Sequence, residues 1–219
     1  MGNGKSSEPS AAFSRRGMMK EILNDIFTWS WFSKPHGYHF NGYLMRHAAG
    51  NLCIDPVEPD EATLDEIIRL GVARILLTNR NHVRAAHRIH EYTQARTAIH
   101  PADAAHARNQ GANLDEALRV GETIGPLTVI GVPGKSPGEV ALYWPTRSVL
   151  IVGDCVIGNP PGRLSLLPDK VIDDPAQLRR SVRQLLDLEF GILLTGDGKP
   201  LLHDASARLR DLIETFPKA

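Results

Sequence analysis

The side chains that could do chemistry stand directly after runs of apolar residues. Asn79, Arg80, Asn81 and His82 follow Ile75-Leu-Leu77-Thr78, and Arg84 comes two residues later. Lys135 lies in Gly134-Lys-Ser-Pro-Gly138 behind Leu127 to Val132, Asp154 follows Gly153 behind Ser148 to Val152, and Asp197 sits between Gly196 and Gly198 behind Ile192 to Leu194. In open α/β sheets the carboxyl ends of strands are where ligands bind, and the flanking glycines let the backbone approach a ligand closely. Three chemistries are open to such a set. Asp154 and Asp197 with the amide oxygens of Asn79 and Asn81 could hold a hard cation such as magnesium or manganese. Arg84 and Lys135 could bind a small anion, and His82 is the imidazole close enough in sequence to act as a base.

Each residue also has a structural reading. Asn79 and Asn81 suit a turn that satisfies backbone groups at a helix start, and His82 reads as solvent-facing or as part of that helix start. His87 and His90, three apart on one helix, read as surface residues. His36 and His39 flank Gly37-Tyr38 and either could line a pocket. Cys155 beside Asp154 lacks an identifiable partner base for a nucleophilic role. His203 reads as flanking the last helix, and Asp154 and Asp197 read as ion-pair partners of Arg84 and Lys135.

The elements that must position these groups follow from periodicity. Ile26 to Phe32, Phe40 to His47 and Asn51 to Asp55 are three closely spaced β runs, which predicts an antiparallel meander. Asp60 then caps a helix with Leu64, Ile67 and Ile68 on one face. Ile75 to Leu77 reads as a strand buried on both faces, followed by a helix with Val83, Ala86 and Ile89 at helical spacing and a short strand over Ala95 to Ile99. Residues 102 to 125 read as a short helix and a solvated connector. Three further β runs cover Leu127 to Val132, Glu139 to Trp144 and Ser148 to Val152, so the second half repeats the plan of the first. Asn159 to Asp173 is long for a connection and reads as a pocket wall. Asp174, Pro175 and Gln177 supply an N-cap, a first-turn proline and a capping-box partner, and Leu209, Leu212, Ile213 and Phe216 give the last helix its apolar face.

With 219 residues the chain can bury a substantial core. Lys plus Arg number 25 and Asp plus Glu number 25, so no net field favours nucleic acid or an acidic membrane. No apolar stretch reaches the roughly 20 residues that span a bilayer, and no signal peptide precedes the first strand. The two cysteines, far apart, offer neither a zinc finger nor a disulfide framework. These features place the protein in the cytoplasm as reduced and soluble. Residues 1–17, rich in Ser, Gly and Arg, read as a disordered tail, with residues 18–219 as one domain. Met1-Gly to Ser6 fits the loose N-myristoylation pattern, and Gly4-Lys-Ser6 lacks what a phosphate loop needs.

Taken in order, "LLTNRNHVRAA", "GVPGKSPGEVALYW", "VLIVGDCVIG" and "ILLTGDGKP" resemble the four site loops of the metallo-β-lactamase superfamily. The resemblance covers roughly residues 25 to 215. It implies an α/β (α+β) fold, a four-layer αββα sandwich, with a dinuclear metal site at the strand ends and hydrolysis of an ester, thioester or other small acyl or phosphate substrate. In that family Thr is followed by H-x-H-x-D-H, and later loops carry Pro-Gly-His, Gly-Asp and Gly-His-Gly. Here Asn79, Asn81, Val83 and Arg84 stand in the first motif, Lys135 and Asp197 in place of the later histidines, and Asp154 alone matches. Arg and Lys cannot ligate a metal and Asn is a poor neutral ligand.

The resemblance therefore implies a hydrolase-like protein with a degenerate metal site, no dinuclear zinc, and at most a weak divalent ion on Asp154 and Asp197. On this reading Asp154, Asp197 and His82 are the catalytic candidates, while Asn79, Asn81, Arg84 and Lys135 bind substrate. The alternative is a non-catalytic module that binds a small anion through Arg84 and Lys135, or an interaction module. Partners are a small-molecule ligand and, with room left for it, further copies of the chain.

Overall fold

Strand runs that are apolar on both faces need cover on both faces, and the chain provides it with two sheets packed together and helices outside each. A computed structural model describes residues 19–217. The expected tail over residues 1–17 and its myristoylation-like start lie outside them.

The first sheet has seven strands in the order β1 to β7: β1 (Lys20–Leu23), β2 (Ile26–Ser33), β3 (Tyr38–Met45), β4 (Leu52–Ile54), β5 (Arg74–Leu77), β6 (Arg96–Ile99) and β7 (Glu116–Ala117). Strands β1 to β4 form the antiparallel meander, and β4 to β7 run parallel. Parallel neighbours need crossovers. These are the helices α1 (Glu61–Leu70), α2 (Ala86–Thr93) and α3 (Pro101–Asn109). Asp60 caps α1 as expected, accepting from the Thr63 amide at 2.9 Å, and Ile67 is fully buried while Ile68 reaches the surface.

The second sheet has the order β12-β11-β10-β9-β8, from β8 (Thr123–Ile124), β9 (Leu127–Gly131), β10 (Val140–Trp144), β11 (Val149–Val152) and β12 (Ile192–Thr195). Only β11 and β12 pair parallel, with α4 (Pro175–Gln184) between them in sequence; α5 (Ala205–Glu214) follows β12. Asp174 caps α4 by accepting from the Gln177 amide at 2.8 Å. The capping box is half present. Gln177 turns its side chain to Ser181 and Arg180 instead, and the Asp174 amide donates to the Gly134 carbonyl.

Three apolar clusters fill the layers. Ile26, Tyr43, Ile54, Leu76, Val129, Leu142 and Ile151 lie between the sheets. Leu44, Ile67, Ile75, Leu77 and Ile89 join the first sheet to α1 and α2, and Leu150, Val152, Leu178, Val182, Leu193 and Leu209 join the second to α4 and α5. Among the described residues no helix is long and apolar enough to cross a membrane. At the site end the sheets are stitched by polar groups. Asn41 Nδ2 donates to the Thr195 and Gly198 carbonyls and the Tyr43 hydroxyl to Thr195, all within 2.9 Å.

Candidate functional site

The site forms where β5, β11 and β12 end and the loop before β10 comes alongside. Strand β5 stops at Leu77 because Thr78 is pinned by Asp55, which accepts from its amide at 2.8 Å and from its hydroxyl at 2.6 Å. Asn79 then closes a turn, its Oδ1 accepting from the Asn81 amide at 2.8 Å. Residues 80–85 are wound as turns before α2 begins. This winding sends His82 inward. The expectation that His82 faces solvent or starts the helix is corrected: it is fully buried, because two carboxylates hold its ring. Nδ1 lies 2.9 Å from Asp55 Oδ2 and Nε2 lies 3.1 Å from Asp154 Oδ1.

Two glycines make room for this packing. A Cβ on Gly153 would lie 2.3 Å from Thr78 Oγ1, and one on Gly196 would lie 2.8 Å from His82 Cε1. Both distances are far inside van der Waals contact, so the residues before Asp154 and Asp197 are held to glycine by the neighbouring loop.

The remaining candidates converge on the same floor. Lys135 Nζ lies 3.1 Å from Asp154 Oδ2 and donates to Asn81 Oδ1 at 2.8 Å. Arg84 Nη2 lies 3.2 Å from Asp197 Oδ1, and its guanidinium covers the Phe40 ring at 4.2 Å. Arg84 Nη1 is buried and has no hydrogen-bond partner among the described residues. His82, Asp154 and Asp197 each present a ligand atom within 4.8 Å of the others. Lys135, Asp154 and Asp197 are nearly buried, at 6%, 5% and 4% exposure.

Above the floor lies a cavity of about 660 Å³. His36, Tyr38 and Phe40 wall one side; Ile157 and, from the long loop, Leu166, Leu167 and Val171 wall the other. The expected pocket wall over residues 159–173 is therefore present. Of the two meander histidines only His36 lines the cavity, while His39 packs its ring on Phe32 at the surface. His82 lies beneath the floor, outside the lining.

The charges are set by burial against pairing. Burial opposes charge on His82, and Arg84 does too, but Asp55 and Asp154 together outweigh them and raise its pKa to about 9. Burial likewise disfavours ionised Asp154, yet His82, Lys135 and Arg84 hold its carboxyl well below the usual range. Asp197 is pushed up to about 6 by burial and by Asp154, against the pull of His82 and Arg84. Burial and the Asp197 carboxylate raise Tyr38 to about 12.

Two groups are not legible from the motifs. Asp55 is one, and Glu139 is the other: its Oε1 accepts from the Asp154 amide at 2.7 Å, while its Oε2 is buried without a partner. Burial and Asp154 raise Glu139 to about 8. Cys155 is fully buried, and burial together with the nearby Glu139 and Asp154 pushes its thiol far up, which disfavours a thiolate nucleophile. His87 is exposed, as expected, and His203 flanks α5 as expected, whereas His90 is half-buried with Nδ1 2.8 Å from the Ala95 carbonyl.

The long loop is fastened to the floor by Arg80, which grips Asp173 through one guanidinium nitrogen at 2.6 and 2.7 Å. Asp103, fully buried on α3, accepts from the Arg80 amide at 2.9 Å, the Ser136 hydroxyl at 2.5 Å and the Gly138 amide at 2.9 Å. It thereby sets the Lys135 loop against the Asn79 to Arg84 loop.

This architecture is shared with solved proteins. A metallo-beta-lactamase from Pontibacter korlensis superposes with a TM-score of 0.74 at 15% identity, over 92% of this chain and 100% of that one. A metallo-beta-lactamase family protein from Thermus thermophilus gives 0.67 at 20% identity, over 89% and 80%. A protein solved in a di-iron-bound form gives 0.63 at 27% identity, over 83% and 98%. In sequence, a hydroxyacylglutathione hydrolase from Fuscovulum blasticum is 34% identical over 96 residues, which span 41% of this chain and only 36% of that protein. The family model described as metallo-beta-lactamase superfamily matches residues 19–216, and the chain belongs to that superfamily.

Proposed function

We propose that this protein keeps the hydrolase-like fold of its family with a degenerate metal site, in which side-chain cations replace the dinuclear metal and the pocket binds a small anionic ligand on Arg84 and Lys135. The observation that carries this reading is the pairing on the floor: Lys135 Nζ stands 3.1 Å from Asp154 and Arg84 Nη2 stands 3.2 Å from Asp197. The donor set does not suit a metal pair. Arginine and lysine have no lone pair to give, Asn79 Oδ1 is committed to the Asn81 amide, and both nitrogens of His82 face carboxylates.

With His82, Lys135 and Arg84 positive and Asp55, Asp154 and Asp197 negative near neutral pH, charge on the floor is balanced without an added cation. His82 then acts as a positioning residue that holds Asp154, and Asn81 orients Lys135.

A second reading rests on the His82, Asp154 and Asp197 group: a weakly held magnesium or manganese ion serving a hydrolase-like site. The match to part of a hydroxyacylglutathione hydrolase supports a hydrolytic ancestry. Elemental analysis of protein purified without chelator separates the two, together with melting temperatures measured in zinc, manganese, magnesium and phosphate. A metal content well below stoichiometric and a rise in melting temperature with the anion alone are expected. Stoichiometric zinc or iron overturns the proposal. Lys135→Met is expected to abolish the anion response.

A further inference from the structure

The pairing on the floor constrains the ligand further. A ligand bearing only a negative charge brings a further anion beside Asp154 and Asp197 and shares with them their cations, Lys135 and Arg84. Asp154 keeps His82 at 3.1 Å, but among the described residues Arg84 is the one side-chain cation within ion-pair distance of Asp197. Asp197 is 4% exposed, and weakening the ion pair of a buried carboxylate is unfavourable. A plain anion therefore binds against a penalty that the floor itself imposes.

Free bonding capacity on the floor is of both signs. On the donor side, Lys135 Nζ has three donors against two side-chain acceptors, Asp154 and Asn81. On the acceptor side, Arg84 engages only Oδ1 of Asp197. Even with the Tyr38 hydroxyl as a neighbour, a carboxylate has lone pairs to spare, about four sites in all. Above these groups the walls are largely apolar, with Phe40, Ile157, Leu166, Leu167 and Val171 set among the polar Tyr38, Ser165 and Lys170.

From this, and resting on the anion-binding reading above, we infer that the ligand is a small zwitterion with an apolar body, of the class of an apolar α-amino acid. Its carboxylate meets Arg84 and Lys135, its ammonium meets Asp197, and its side chain lies against Phe40 and the long loop. Such a ligand inserts one positive and one negative group into two existing pairs. No buried charge is left without an opposite neighbour.

Isothermal titration of the full chain tests this with three probes of one shape: leucine, isocaproate, which lacks only the amine, and isoamylamine, which lacks only the carboxylate. Phenylalanine, hydrocinnamate and phenethylamine form a second series. The expected result is binding of the amino acid with each truncated probe at least about tenfold weaker, the scale of losing one charged hydrogen bond. Isocaproate binding as tightly as leucine overturns the zwitterion and leaves the anion-binding reading standing. If neither the amino acids, the carboxylates nor phosphate bind, both fall. Asp197→Asn should bring leucine down to the level of isocaproate. The wild-type series decides the question even if that variant does not fold.

Discussion

The two halves of the floor are built differently. Asp55, His82, Asp154, Lys135 and Glu139 form a deep half in which His82 bridges two acids and Lys135 pairs with one of them. The shallow half is a single pair, Arg84 with Asp197, stacked on Phe40 and carrying an unpartnered guanidinium nitrogen. A network with several partners per charge resists rearrangement, whereas a lone pair with a free donor can exchange partners. The deep half is therefore scaffold, with Lys135 reaching the ligand from its edge, and the shallow half is where binding is read out.

The largest test of that division is His82→Ala, which strands Asp55 and Asp154 and is expected to cost about 3–5 kcal/mol in urea unfolding. A loss no greater than that of Arg84→Met would erase the distinction. The pH dependence comes next. His82 titrates at about 9 in the folded protein against 6.5 unfolded, so its stabilisation is complete below about 6.5 and disappears as pH rises through 9, on the order of 3 kcal/mol. Glu139, at about 8 against 4.5, takes up a proton on folding and adds to the decline between those values. Glu139→Gln should flatten that part of the curve when urea unfolding is followed from roughly pH 5 to roughly pH 9; an unchanged slope would remove Glu139 from the deep half.

Lys135→Met leaves Asp154 its imidazole and should cost about 2–3 kcal/mol. Arg84→Met should cost about 1 kcal/mol, since Asp197 already titrates near 6 and can protonate in response. Their thermal shifts set side by side test the ranking, and a larger loss for Arg84→Met at pH below about 6 would reverse it. Smallest is Arg80→Ala, whose partner Asp173 is 43% exposed. About 0.2–1 kcal/mol is expected, with faster proteolysis of the 159–173 loop as the visible effect.

The fold is legible where local and long-range signals agree. Asp60 and Asp174 cap as their sequences require, and Leu76, Leu142 and Ile151 are buried between sheets as continuous apolar runs predict. Strand β1, with Lys20 and Glu21 facing solvent, and the two-residue strands β7 and β8 carry no such pattern, since their pairing is imposed by neighbours. At the site, motif order places Asn79, Asn81, Arg84, Lys135, Asp154 and Asp197, and five of them line one cavity while Asn79 is buried beneath it, its Oδ1 on the Asn81 amide. His82 escapes that reading because residues 80–85 form turns, where helical spacing no longer tells which side faces inward. Asp55 and Glu139 act across 23 and 15 residues, and a lone acid in a sequence does not announce the amide it will accept from.

Asp103 has a consequence for how the site could change over time. It belongs to α3, touches neither Lys135 nor Asn81, and yet fixes the loops that carry them. The spacing of the binding groups is thus written into the seating of an outer helix, and substitutions beneath that helix offer a route to a different ligand size with every floor residue unchanged.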